Sequence, residues 1–262
     1  MMEKSRKILG NHIETRSLDD LIIADNYRGK MKFISEIASD QQDLGNVCPT
    51  RALSKKDDGT MALDNGKCIM CGYCEESFPK LIKKENTCVN PTKTKNHLIE
   101  YSTSLEHLPG KSYDKMGVEL QEKIRKLFGR SLAIREIDAG SCNGCEIEIT
   151  ALNNPIYDIE RFGIHFVSSP RHADVLLVTG PASRNMETAL LRTYEATSTP
   201  KIVIAAGACA CSGGIFGDTY ATTGGIDKIV PVDVYIPGCP PRPEILIQGL
   251  LLAVDRMITH GS

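Results

Sequence analysis

Ten cysteines in two groups of five set the strongest limit on what this chain can fold into. Cys48, Cys68, Cys71, Cys74 and Cys88 lie in the first hundred residues, and Cys142, Cys145, Cys209, Cys211 and Cys239 in the second half. The N-terminus, Met1 to Gly10, has charges but no apolar stretch behind them. It does not read as a secretory or twin-arginine signal, so the expected location is the cytoplasm. Thiols stay reduced there, which turns these cysteines toward metal binding or redox chemistry and away from disulfides. The most apolar late segment, Ile245 to Val254, contains Gln248 and Gly249 and is shorter than the ~20 residues a membrane helix needs, so a buried helix and no membrane span is expected.

Composition removes other classes. With 41% hydrophobic and 24% charged residues the chain is neither disordered nor collagen-like. A formal charge of -2 leaves no basic excess, so nucleic acid is not an expected partner. Neither a G-x-G-x-x-G nucleotide loop, a Ser/His/Asp set nor a nickel site stands out, and no catalytic residue is assigned.

From Ser131 onward the pattern is α/β. Leu132 to Ile137, Val175 to Val178, Lys201 to Ile204 and Val232 to Ile236 are apolar or β-branched runs of buried-strand length. Met186 to Thr197 and Arg242 to Ile258 have helical spacing, so βαβ crossovers and a mostly parallel sheet are expected. Cys142 and Cys145 follow the first of these strands, Cys209 the third and Cys239 the fourth. The carboxyl edge of an open parallel sheet is where ligands bind, so these four thiols can converge there. Gly140, Gly144, Gly207 and Gly238 let the backbone approach closely. Four thiolates suit zinc or an iron–sulfur cluster alike. One close pair joined by two isolated cysteines favours the separated corners of a cluster over two zinc knuckles.

Several longer motifs carry a specific resemblance. Cys142-Asn-Gly-Cys145-Glu146, Ser169 to Leu176, Gly207-Ala-Cys209 with Gly213-Gly214, and Ile229 to Pro241 resemble the small subunit shared by membrane-associated nickel–iron hydrogenases and respiratory complex I. The resemblance runs from about residue 131 to the C-terminus. It implies a flavodoxin-like, mostly parallel sheet with helices on both faces, holding one 4Fe-4S cluster on Cys142, Cys145, Cys209 and Cys239. Cys211 is left as a packed thiol. Complex I subunits carry two adjacent cysteines where this chain has the spaced Cys142 and Cys145, which favours the hydrogenase branch, including formate hydrogenlyase and energy-converting enzymes.

The first half resembles a bacterial ferredoxin, from about Tyr27 to Lys84, with half its ligands replaced. The two-cluster pattern repeats C-x2-C-x2-C-x3-C-P, and each fourth cysteine serves the other cluster. Here Cys68, Cys71 and Cys74 are followed by Phe78-Pro79. Counting back from Cys48-Pro49 puts Ala38, Gln41 and Leu44 at the other three positions. One site is emptied throughout, and its interleaved neighbour, Cys48, Cys68, Cys71 and Cys74, is whole. A ferredoxin-like α+β domain with a single 4Fe-4S cluster is therefore expected, with Ala38, Leu44 and Phe78 filling the vacated volume. Zinc is the competing ligand at this site too. Cys88 lies outside both patterns, and Lys80, Lys83, Lys84, Lys93 and Lys95 make a basic stretch, read as a solvated face.

The expected organisation is an N-terminal extension over 1–26, the ferredoxin-like domain over 27–98, a linker with an amphipathic helix over 99–130, and the hydrogenase small-subunit or complex I 20 kDa-like domain over 131–262. In the linker Met116, Leu120, Ile124, Leu127 and Phe128 fall at helical spacing. Arg171 and His172 are candidates for tuning the second cluster, the resemblance placing this Arg near it, or else an Arg and a His at a solvated strand entrance. Glu146, next to a ligand, is a candidate proton relay or a plain hydrogen-bond acceptor. The resemblance implies an electron-transfer subunit with two 4Fe-4S clusters, peripheral on the cytoplasmic face of the membrane. Its partners would be a [NiFe] hydrogenase-like large subunit and other iron–sulfur and membrane subunits. The alternatives are a complex I-like quinone or ferredoxin oxidoreductase subunit with the terminal cluster, and a zinc-stabilised scaffold.

Overall fold

The computed structural model describes residue 23 and residues 27–34, 44–102 and 113–260. The second half is built on one sheet whose strands are β6 (Leu132–Asp138), β7 (Ile164–Phe166), β8 (Val175–Thr179), β9 (Ile202–Ala206) and β10 (Val234–Ile236). Their order is β10-β9-β8-β6-β7 and every pairing is parallel. Counted within this half, that is the flavodoxin-like order 2-1-3-4-5, with the switch point between β6 and β8.

A central parallel strand is covered on both faces, so it reads as a continuous apolar run. Every residue of β8 and β9 is buried. Successive side chains alternate between two cores. Val175, Leu177, Ile202 and Ile204 face a core completed by α3 (Tyr113–Phe128), α4 (Gly144–Ala151) and α7 (Pro243–His260). Leu176, Val178, Val203 and Ala205 face a second core with Leu190 of α5 (Arg184–Ala196) and Ala210 of α6 (Gly207–Ser212). Burying each Val, Leu or Ile side chain stabilises the fold by roughly 1.5–3 kcal/mol, so two dry cores fix the sheet that presents the edge loops. The helical stripe of the connector packs on this chain's own core, with Leu120 and Ile124 buried there.

The first half is α+β with two small antiparallel sheets. β1 (Lys30–Phe33) pairs with β4 (Ile82–Glu85), and β3 (Met61–Asp64) lies between β2 (Leu53–Lys55) and β5 (Ile99–Tyr101). Short helices α1 (Leu44–Val47) and α2 (Tyr73–Ser77) complete it. Because β5 pairs with β3, residues 99–101 belong to this half and not to the connector, a correction to the expected boundary. Ala38 and Gln41 lie outside the described residues. Phe78 is half-buried against the first-half core.

The halves interlock. Leu98 is buried in the second core and Cys88 packs against the first. Thr92 bridges Tyr235, Lys95 pairs with Asp227 at 2.8 Å, and the Ser212 hydroxyl donates to the Gly66 carbonyl at 2.7 Å. Lys95 is thus committed to the second half, which removes it from a continuous solvated basic face.

Candidate iron–sulfur sites

The carboxyl edge of the sheet gathers the second group of cysteines. Cys142 and Cys145 stand on the loop and first turn after β6, at the switch point. Cys209 sits in α6 directly after β9, and Cys239 follows β10. Glycine gives the sulfurs room. Gly207, at φ 89°, has no space for a side chain, since a Cβ there would lie 2.5 Å from Cys145 Sγ. A Cβ on Gly214 would lie 2.8 Å from Cys209 Sγ. Burial pushes the Cys145 thiol up, with Glu146 and the thiols of Cys209, Cys239 and Cys142 adding to it. The Cys209 thiol is pushed up to about 12 by burial, then by Cys239 and Cys142. Cys239 is raised by burial and by Cys142, and the positive charge of Arg28 from the first half opposes this. The four thiols thus lie on loops at one edge of the sheet, near enough to influence one another electrostatically.

Cys211 does not join them. It is two residues beyond Cys209 on the helix, fully buried, and its thiol donates to the carbonyls of Ala205 and Ile236, each at 3.6 Å.

The first group lines one small cavity. Cys48, Cys68, Cys71 and Cys74 surround it together with Met31, Ala52, Leu53 and Leu63. Backbone amides point at the sulfurs, Ala52 N–H donating to Cys48 Sγ at 3.2 Å and Met70 N–H to Cys68 Sγ at 3.4 Å. Burial pushes Cys68 up to about 12 and Cys74 to about 11, with the neighbouring thiols contributing. Clustered thiols whose ionised forms would repel one another are what a cationic iron core would neutralise, and the four cysteines at each place are a donor set that fits a four-cysteine cluster. Cys88 lies apart, bonded to the Tyr27 hydroxyl at 3.5 Å.

Arg171 and His172 are not brought to either group. They form a turn before β8, both exposed, and so occupy the amino edge of the sheet, opposite the cysteines. There they line an open cavity of about 550 Å³ with Arg130, His165, Asp174 and Ser198. The reason is strand polarity: a residue that precedes a strand leaves from the other end than one that follows it.

Glu146 stays beside Cys145. It accepts a hydrogen bond from the Thr179 hydroxyl, which also lies 3.5 Å from Glu136, while its Oε2 is buried and unpaired. Burial and the nearby Glu146 carboxylate raise Glu136. Both line a cavity of about 290 Å³.

Residues that sequence reasoning missed are Arg28, whose charge reaches the second site from the first half, and the exposed apolar side chains Ile147, Ile215 and Phe216. Their positions next to Cys145 and Gly214 are the only signal in the sequence.

Residues 142–253 match the family described as NADH ubiquinone oxidoreductase, 20 Kd subunit. Formate hydrogenlyase subunit 7 of Escherichia coli is 50% identical over 141 residues, 54% of this chain and 55% of that protein. This chain thus spans about half the length of that relative. A probable membrane-bound hydrogenase subunit of Pyrococcus furiosus is 50% identical over 52% of this chain and 81% of its own length. An NADH-quinone oxidoreductase subunit of Citrifermentans bemidjiense is 50% identical over 45% and 69%. A solved structure of the membrane-bound sulfane sulfur reductase, an archaeal respiratory membrane complex, aligns at 39% identity and TM-score 0.45 over 55% of this chain and 78% of its own. The chain belongs to the 20 kDa subunit family, which makes it a relative of oxidoreductase subunits.

Proposed function

We propose that this chain is the electron-transfer small subunit of a membrane-associated [NiFe] hydrogenase complex, of formate hydrogenlyase or energy-converting type. Cys142, Cys145, Cys209 and Cys239 would hold one 4Fe-4S cluster, and Cys48, Cys68, Cys71 and Cys74 a second in a ferredoxin-like domain. The observation that carries the reading is the placement of four cysteines from three strand ends on the carboxyl edge of the sheet, in a chain of this family. Such clusters, when bound, accept and release single electrons with no substrate bond made or broken.

The chain's own residues supply the rest. The amides of Ala52 and Met70 donate to sulfur, which stabilises thiolate charge. Gly207 and Gly214 admit Cys145 and Cys209 to the site. At the second site one close pair of cysteines is joined by two isolated ones from other strand ends, which supports a four-cornered group over a single zinc.

A large subunit with the nickel–iron centre would dock at the second site. Cys142 is exposed there, and the exposed Ile147, two residues after Cys145, and Ile215 and Phe216, which follow Gly214 beside Cys209, offer apolar surface of the kind a partner covers. Among the described residues no helix is long and apolar enough to cross a membrane. Attachment on the cytoplasmic face would run through partner subunits.

Similar identity to an NADH-quinone oxidoreductase subunit keeps a complex I-like quinone or ferredoxin oxidoreductase as the second reading. Purified complex is expected to contain nickel and to reduce a dye with hydrogen; activity with a quinone and no nickel would establish the second reading instead. Iron and acid-labile sulfide equal to two 4Fe-4S clusters per chain are expected, and zinc with little iron would overturn both readings.

A further inference from the structure

Between the two groups of cysteines lies a contact that neither motif requires. Tyr27, just before β1, is enclosed on three sides. Its hydroxyl is 4.0 Å from Met70 Sδ and accepts from Cys88 Sγ at 3.5 Å. The Arg242 guanidinium stands 5.5 Å from the centre of its ring. Each of Met70 and Arg242 leads to a cysteine site. Met70 is buried between Cys68 and Cys71 in sequence, with φ 54°, and its amide donates to Cys68 Sγ. Arg242 is three residues from Cys239 and is fixed by Glu244, to which it donates at 2.8 and 3.2 Å. Glu244 is itself 5% exposed. Arg28, the next residue after Tyr27, carries its charge to Cys239.

We infer that Tyr27 is the positioning residue that sets the two cysteine sites against each other, on a path whose hydroxyl end meets Met70, beside Cys68, and whose ring meets Arg242, three residues from Cys239. The inference rests on the two-cluster reading. In that reading one electron leaves the group held by one half and enters the group held by the other, and no bond changes. The rate of such transfer depends on the two sites being held at a fixed, packed separation. Tyr27 offers Arg242 an aromatic face from the first half, and its hydroxyl fixes the ring between two sulfur atoms.

The test uses the full chain carrying its clusters, in the forms Tyr27→Leu and Tyr27→Phe. Photoreduction with a flavin donor, followed by time-resolved absorbance, reads electron transfer between the clusters. Electron paramagnetic resonance of the fully reduced protein reads their magnetic coupling. Tyr27→Leu is expected to retain wild-type iron and sulfide, to slow inter-cluster transfer several-fold and to weaken the coupling. Tyr27→Phe, which keeps the ring over Arg242, is expected to fall between Tyr27→Leu and wild type. Unchanged rate and coupling in Tyr27→Leu, with both clusters present, would overturn the inference alone. A wild-type chain with iron for a single cluster would overturn the two-cluster reading and the inference with it. If Tyr27→Leu loses a cluster, the intact Tyr27→Phe chain decides: wild-type rate and coupling there would rule the hydroxyl out of the path and overturn the inference.

Discussion

Gly207 allows the second site to be tested at a single methyl group. It has φ 89°, and a Cβ added there would sit 2.5 Å from Cys145 Sγ. An alanine in the left-handed region costs roughly 1–2 kcal/mol by itself. Carbon and sulfur in ordinary contact need about 3.5–4 Å, so in Gly207→Ala the sulfur has to retreat by about 1 Å or more. A displacement of about that size is enough to spoil a preorganised ligand site. Gly217 provides the control, because it also has positive φ, 61°, but no heavy atom lies within 4 Å of the added methyl. Gly217→Ala carries the backbone strain without the clash. Urea unfolding of the two variants should then show similar losses from strain. Iron and sulfide analysis should show that Gly207→Ala loses the cluster of the second site and keeps that of the first, while Gly217→Ala keeps both. Full cluster content in Gly207→Ala would refute the argument that Cys145 Sγ is held at the ligand position by the missing side chain.

Three further outcomes are expected. Cys211→Ala should leave iron content unchanged and lower stability by about 1 kcal/mol, because a buried thiol is replaced by a smaller group; loss of the second cluster would make Cys211 a ligand. Asp174→Ala should cost about 1–3 kcal/mol in urea unfolding, since it strands the buried Ala133 N–H that donates to Asp174 at 3.0 Å. Arg130→Ala, whose side chain is 55% exposed, should cost under about 1 kcal/mol, and equal losses in the two variants would contradict this. Apoprotein stability should be full below the ordinary thiol pKa and fall as pH rises through 9 toward 12, because folding raises Cys68 and Cys74 to about 12 and 11 and so favours their neutral forms. Chain carrying its clusters should lack that alkaline loss in thermal melts; parallel melts would show the thiols are not the titrating groups.

What the sequence made legible was whatever one local pattern decides. Four strands of the large sheet and the helices of residues 184–196 and 243–260 follow from unbroken apolar runs and helical spacing, and strand ends then place the cysteines on one edge. β7 escaped because Ile164-His-Phe166 is three residues long with only one buried, too short for any period. β5 escaped because Ile99-Glu-Tyr101 is nowhere fully buried and its partner is nearly forty residues earlier. Of the two readings open for Arg171, the structure shows the solvated strand entrance, because a position before a strand sets it on the amino edge. The contacts of Tyr27 with Arg242, of Cys88 with the second-half core and of Lys95 with Asp227 depend on how one half docks on the other, and no spacing along the chain encodes that.

The two sites also differ in solvent access, and this bears on direction. Cys68 and Cys74 are buried and the cavity they share is lined largely by apolar side chains, whereas Cys142 is exposed. Burial around a group that gains negative charge on reduction disfavours the reduced form, while amide donors to its sulfurs favour it. The first site has both the burial and the N–H···S bonds supplied by its own half. Among the described residues Cys142 of the second site is exposed, and in the proposed complex a subunit docking there would alter its environment. On the proposed function, one site would be enclosed largely by its own half and the other tuned by a docked subunit, the arrangement expected if electrons pass to the large subunit by way of Cys142.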